Sequence, residues 1–154
     1  MFRKILFCTD FSDDAHWAFT YALQLAKAFK SKLYILHVMP APVHPEQLSI
    51  YLSPEKLEEL RASQKIEVDR QLHTHYLDKM GDFKEYEVQF KEGEPFLEII
   101  HMARKESIGV IVMGTHGRTG LDHVLFGSTA EKVVRKSPCP VLTVRLPGRI
   151  FTMP

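Results

Sequence analysis

Six consecutive residues, Ile108-Gly109-Val110-Ile111-Val112-Met113, do most to fix the class of fold open to this chain. The run is apolar, rich in β-branched side chains and shorter than a helix needs. Those features suit a strand buried on both faces of a parallel sheet. It leads into Gly114-Thr115-His116-Gly117-Arg118-Thr119-Gly120 and, after Leu121 to Phe126, into Gly127-Ser128-Thr129. Gly114 and Gly117 carry no Cβ, so the backbone there can turn sharply and approach a ligand closely. Ser128-Thr129-Ala130-Glu131 reads as a capping box in which Ser128 caps a helix and Glu131 reaches back. Ala130, Val133 and Val134 recur at helical spacing and carry that helix to about Lys136. A glycine turn with free N–H groups, followed by a helix N-terminus with hydroxyls, makes an anion-binding surface of the kind that holds phosphate. An isolated Gly-x-x-Gly is ordinary turn chemistry. The specificity here lies in the spacing to Gly127-Ser128 and in the setting between a strand and a helix.

The same alternation runs through the rest of the chain. Lys4 to Thr9 reads as a central strand. Ser12 is a good N-cap, with Asp13 and Asp14 in the first turn where the helix dipole favours negative charge. Ala15, Ala18, Ala22, Leu25, Ala26 and Phe29 extend this helix to about Lys30. Leu33 to Val38 is a second strand. The connection from Met39 to about Leu52 contains three prolines and is expected to be the most mobile segment. Ser53 and Pro54 cap and open a helix predicted to reach Met80 and to stop at Gly81, with Leu57, Leu60, Ile66, Leu72 and Leu77 facing inward. Tyr86 to Lys91 alternates apolar and polar residues, as an edge strand does. Gly93-Glu94-Pro95 opens a helix with Phe96, Ile99, Ile100 and Ala103 on one face, and Val141 to Val144 is the last strand. The order βαβαβαβαβ predicts an α/β fold, an open parallel sheet of five strands with helices on both faces.

Gly114, Gly117, Gly127 and Ser128 match, with their full spacing, the glycine motif of the ATP-binding branch of the universal stress protein family. The resemblance extends to Lys4-Ile5-Leu6-Phe7-Cys8-Thr9-Asp10-Phe11-Ser12 and to Ser137-Pro138-Cys139-Pro140-Val141-Leu142-Thr143-Val144, and so spans nearly the whole chain. It implies a Rossmann-like sheet of order 3-2-1-4-5. There the carboxyl ends of the first and fourth strands would flank the topological switch point, where open α/β sheets bind ligands. Gly114, Gly117 and Arg118 are assigned to the ribose and phosphates, and Gly127, Ser128 and Thr129 to the phosphates. Thr9, Met113 and Thr115 complete the candidate set. The resemblance further implies that Asp10 contacts the nucleoside or its Mg²⁺ and that the Val38 main chain pairs with adenine. Asp10 is also readable as a turn residue ahead of Ser12, Val38 as a plain strand end and Arg118 as a solvated loop charge.

Composition narrows the remaining options. The chain has 154 residues and is expected to form one domain, with a core of about residues 3–145 and a tail over 146–154. The formal net charge of +1 disfavours nucleic acid as a partner, and no apolar run is long enough to span a bilayer. The N-terminus does not read as a signal peptide, and Cys8 and Cys139 read as small core residues, which together suggest a cytoplasmic protein with reduced thiols. Neither a P-loop nor a Gly-x-Gly-x-x-Gly follows any strand, which disfavours P-loop GTPases and nicotinamide dehydrogenases. The His-x-Gly-His that an ATP-using transferase of related fold would want is missing too, and the histidines form no metal-ligand set. His116 and His123 are the loop's only candidate bases, so at most slow ATP hydrolysis is expected. The sequence therefore points to an ATP-binding regulatory module of the stress response. The alternative reading is a homodimeric interaction module that pairs through the edge strand Val141 to Val144 and does not depend on nucleotide.

Overall fold

The computed structural model describes residues 2–40, 52–117 and 127–148. Along the chain run β1 (Lys4–Thr9), α1 (Asp13–Phe29), β2 (Lys32–Met39), α2 (Pro54–His75), a 3-10 turn (Leu77–Lys79), β3 (Tyr86–Glu92), α3 (Pro95–Lys105), β4 (Val110–Gly114), α4 (Ser128–Lys136) and β5 (Val141–Val144). The strands form one parallel sheet in the order β3-β2-β1-β4-β5, the order implied by the family resemblance. The predicted mobility of the Met39 to Leu52 connection falls largely outside the described residues, as do Arg118, Thr119, Gly120, His123 and most of the tail. No helix among the described residues is long and apolar enough to cross a membrane.

Side chains alternate across a strand, so each central strand feeds two cores. Ile5 and Phe7 of β1 pack with Val110 and Val112 of β4 beneath α1 and the end of α2. Leu6 and Cys8 pack with Ile111 and Met113 beneath α3 and α4. Ala18, Ala22 and Ala26 are fully buried, and their small side chains let α1 lie close on the sheet. Ser12 caps α1 by accepting the Ala15 N–H at 3.2 Å, and Lys30 closes the helix in the left-handed region with φ 51°.

Helix α2 departs from the sequence expectation at both its end and its face. It stops at His75, short of Met80, because Tyr76 leaves the helix to bury its ring. That ring lies 5.2 Å from Phe7 and 4.8 Å from Phe19, and its hydroxyl meets Thr9 Oγ1 at 2.5 Å and His16 Nδ1 at 2.9 Å. The 3-10 turn then delivers Met80 into the same core. Of the five residues expected to face inward, Leu72 is buried, whereas Leu60 and Ile66 are 44% and 72% exposed. The helix meets the core mainly through Val68 and Leu72, with Tyr76 just past its end, and its earlier turns extend along the carboxyl end of the sheet. Its last turn is also fastened by stacking of His75 on His16, with ring centroids 3.9 Å apart and planes 11° from parallel.

Two tests follow from this packing. Leu72→Ala is expected to destabilise by about 2–5 kcal/mol in urea denaturation, while Ile66→Ala stays within about 0.5 kcal/mol; the opposite ranking would place Ile66 in the core. Burial, and then the neighbouring His75 charge, holds the His16 imidazole below its ordinary value of 6.5. The unfolded chain therefore takes up that proton first, so this contribution to stability is complete above 6.5 and is lost as pH falls through the folded value. Between about pH 7.5 and 5.5 the thermal midpoint of the wild type is expected to fall further than that of His16→Gln. Equal falls would show that His16 does not set the acid response.

Candidate functional site

β1 and β4 lie side by side, and the chain leaves them in different directions, toward α1 on one face and α4 on the other. A parallel sheet opens a crevice where this divergence occurs. A cavity of about 730 Å³ occupies the position. Thr9 and Asp10 line it from the end of β1, Val38 from β2, Met113, Gly114, Thr115 and Gly117 from β4 and its loop, and Gly127, Ser128 and Thr129 from the start of α4. The structure thus brings together every described residue of the sequence-derived set; Arg118 lies outside the described residues. Leu60, Ser63, Gln64, Glu67 and Gln71 of α2 form a wall that the sequence reading did not anticipate.

The turn after β1 is held by its own side chains. Asp10 Oδ1 accepts the Ser12 N–H at 3.0 Å, and Thr9 Oγ1 accepts the Phe11 N–H at 2.9 Å, with Phe11 in the left-handed region at φ 61°. Such Asx and Thr turns fix the chain before a helix begins. His37 Nδ1 donates to the Thr9 carbonyl at 2.8 Å, and the Phe11 ring lies 4.6 Å from the His37 ring. Burial raises the Tyr76 phenol and the Cys8 thiol above their ordinary values, which keeps both neutral beside the cavity.

Each glycine of the motif has a different neighbour. A Cβ on Gly117 would lie 2.8 Å from Asp10 Oδ2, so a side chain there would displace the Asp10 carboxylate from its present place. A Cβ on Gly127 would come within 3.4 Å of the Gly117 nitrogen, and the Gly127 N–H donates to the Thr115 carbonyl at 2.8 Å. Gly114 was expected to clear a path for a ligand, but its open side faces α1. A Cβ there would meet Asp14 Cβ at 2.8 Å and the Ala15 nitrogen at 2.9 Å. Gly114 lets the first turn of α1 dock against β4.

The start of α4 also differs from expectation. Ser128 is the first helical residue, and Gly127 takes the N-cap position with φ −63° and ψ 156°. The expected capping box does not form: no described side chain caps the helix, the Glu131 N–H bonds the Gly127 carbonyl at 3.0 Å, and the Glu131 carboxylate pairs with Arg135 at 2.9 Å. The bond from Gly127 to Thr115 fixes the entry of the chain one residue earlier than the side-chain pattern suggests. A helix that begins without a side-chain cap leaves its first N–H groups for another acceptor. Here that first turn lines the cavity, where the positive end of the helix dipole favours an anion.

Beneath the glycine loop lies a buried polar group that the sequence reading treated only as dipole charge. Asp14 is fully buried, and Thr115 and His116 are nearly so. A signal was present: Asp14 falls on the same helical stripe as Ala18, Ala22 and Ala26, where a carboxylate is out of place unless something meets it.

The sequence profile of the universal stress protein family matches residues 1–145. Universal stress protein MJ0531 of Methanocaldococcus jannaschii is 34% identical over 159 residues, covering 97% of this chain and 85% of its own. Among solved structures, universal stress protein UspA from Lactobacillus plantarum superposes with a TM-score of 0.75 at 28% identity, over 94% of this chain and 98% of its own. A universal stress protein solved in complex with cAMP superposes with a TM-score of 0.59 at 25% identity, over 92% of this chain and 95% of its own.

Proposed function

Because this chain belongs to the universal stress protein family, we propose that it is an ATP-binding member acting in the cytoplasm as a nucleotide-dependent regulatory module of the stress response. The observation that carries this reading is the start of α4, where Gly127 replaces a capping side chain and the first turn opens on the cavity. Gly117 and the first turn of α4 line the cavity, and main-chain N–H groups placed there suit phosphate oxygens. Hydrogen bonds to charged groups contribute about 1.5–3 kcal/mol each, so three or four of them support micromolar affinity after the entropic cost. Leu36, Ile99 and Met113 provide an apolar end for the base. The last β1–β2 pair is Thr9 with His37, so the Val38 main chain lies past it and suits pairing with adenine. A similar protein was solved with cAMP, an adenine nucleotide, which supports the choice of ligand class.

Asp10 suits a Mg²⁺ that accompanies the phosphates, because Mg²⁺ keeps most of its waters and uses one or two carboxylates. Such an ion supplies neutralising charge to the phosphates. His116 is held by Thr115 and Asp14 through its Nδ1, at 3.0 and 3.3 Å, which does not favour it as a base for hydrolysis. The output is then a change of conformation or partner, which requires ATP to bind one state better than another.

A second reading, homodimerisation through β5, draws on the position of that strand. β5 is the last strand of the sheet, and its outer side faces no other strand among the described residues. Ile111 donates to the Pro140 carbonyl and Thr115 to the Val144 carbonyl, so the alternation of a parallel ladder turns the Thr143 N–H outward. An unpaired edge of this kind suits strand addition across a two-fold axis.

Calorimetric titration with ATP and Mg²⁺ is expected to give a micromolar Kd for the wild type and a loss of about 100-fold or more in Gly117→Val, whose side chain would collide with Asp10. Failure of the folded wild type to bind at millimolar ATP would remove the nucleotide reading. Light scattering is expected to show a dimer for the wild type and a monomer for Thr143→Pro. A monomeric wild type would remove the edge-strand interface.

A further inference from the structure

We propose that Asp14 is a positioning residue for nucleotide binding, a buried carboxylate that sets the shape of the phosphate loop from below without touching the ligand. The inference rests on the ATP-binding reading above. Asp14 Oδ2 accepts the Thr115 hydroxyl at 2.9 Å and the His116 N–H at 3.1 Å, and lies 3.3 Å from His116 Nδ1. These partners are about 100 residues away in sequence and immediately follow β4. Ser12, from the same helix turn, donates its hydroxyl to the His116 carbonyl at 3.2 Å. The start of α1 thus grips both polar groups of the His116 main chain and the side chain of Thr115.

The grip is passed on to the groups assigned to phosphate. The Thr115 carbonyl accepts the Gly127 N–H, which fixes where α4 begins. The His116 N–H points to Asp14 and is withdrawn from any ligand. Gly117 is the next residue, and it lines the cavity together with Asp10. Asp14 therefore decides which N–H of the loop turns inward. Gly114 is part of the same device, since any side chain there would push Asp14 away from the loop.

A carboxylate is costly to bury unless its charge is met by hydrogen bonds. The N-terminal turn of α1 offsets part of that cost through its dipole, and Thr115 and His116 supply donors. Position 14 continues an alanine stripe, where an apolar residue would satisfy packing alone. A residue that serves the loop should affect ligands that carry phosphate more than ligands that do not.

The test measures Kd for ATP and for adenosine with wild type, Asp14→Asn and Asp14→Ala, each checked for folding by circular dichroism well below its melting temperature. Asp14→Ala is expected to weaken ATP about 10- to 100-fold and adenosine less than about threefold. Asp14→Asn, which keeps an acceptor for the His116 N–H and is close to isosteric, is expected to recover part of the ATP affinity and remains informative if the alanine variant does not fold. Unchanged ATP affinity in both folded variants, or equal weakening of ATP and adenosine, would overturn the role of Asp14 while leaving the nucleotide site in place. A wild type that binds no ATP would overturn both.

Discussion

Parallel strands cannot be joined by a tight turn, and the rest of this molecule follows from that constraint. Each strand must return to the same end of the sheet through a helix, so all five carboxyl ends lie on one side. The first crossovers build outward from β1 in one direction, and β4 then starts again beside β1 in the other. Two neighbouring strands therefore release their chains to opposite faces, and a crevice is left between them. The cavity is a product of this topology before any side chain is considered. Side chains decide only what it can hold.

The β1–α1 and β4–α4 connections meet in that crevice, and they can meet because little stands between them. Gly114 lets α1 settle on β4, Gly117 leaves room for Asp10, and the Gly127 N–H ties the start of α4 to the Thr115 carbonyl. In each case the missing Cβ is replaced by a main-chain or carboxylate contact rather than by empty space. The motif is thus a set of packing contacts in its own right. Polar partners then fix what the glycines leave free: Asp10 its own turn, Asp14 the loop, and Thr9 the Tyr76 hydroxyl.

The wall supplied by α2 has a different character. Its last turns are anchored by Leu72, Tyr76 and the stacked pair of histidines, while Leu60 and Ile66 remain substantially exposed. Segments with few buried apolar contacts open at lower free energy than the core. One side of the cavity therefore rests on the central sheet and the other on a helix whose core contacts, among the described residues, lie near its end.

Much of this architecture was legible in the sequence because it depends on residues close together in the chain. The apolar runs of β1, β2 and β4, the caps at Ser12 and Ser53, and the edge pattern of β3 each reflect preferences set within a few residues. The parallel α/β class follows from their order, and the order of the strands came from the family resemblance. Tertiary structure decided the rest. Tyr76 ends α2 because the aromatic pocket of Phe7 and Phe19 outweighs local helix preference. Gly127 displaces Ser128 from the cap because its N–H is claimed by Thr115. Asp14, which the sequence offers only as a favourable charge at a helix start, is turned inward by partners about 100 residues away. Local pattern encodes the periodicity of burial, but a hydrogen bond between distant residues exists only after the chain has folded, and nothing near Asp14 in the sequence records its partners.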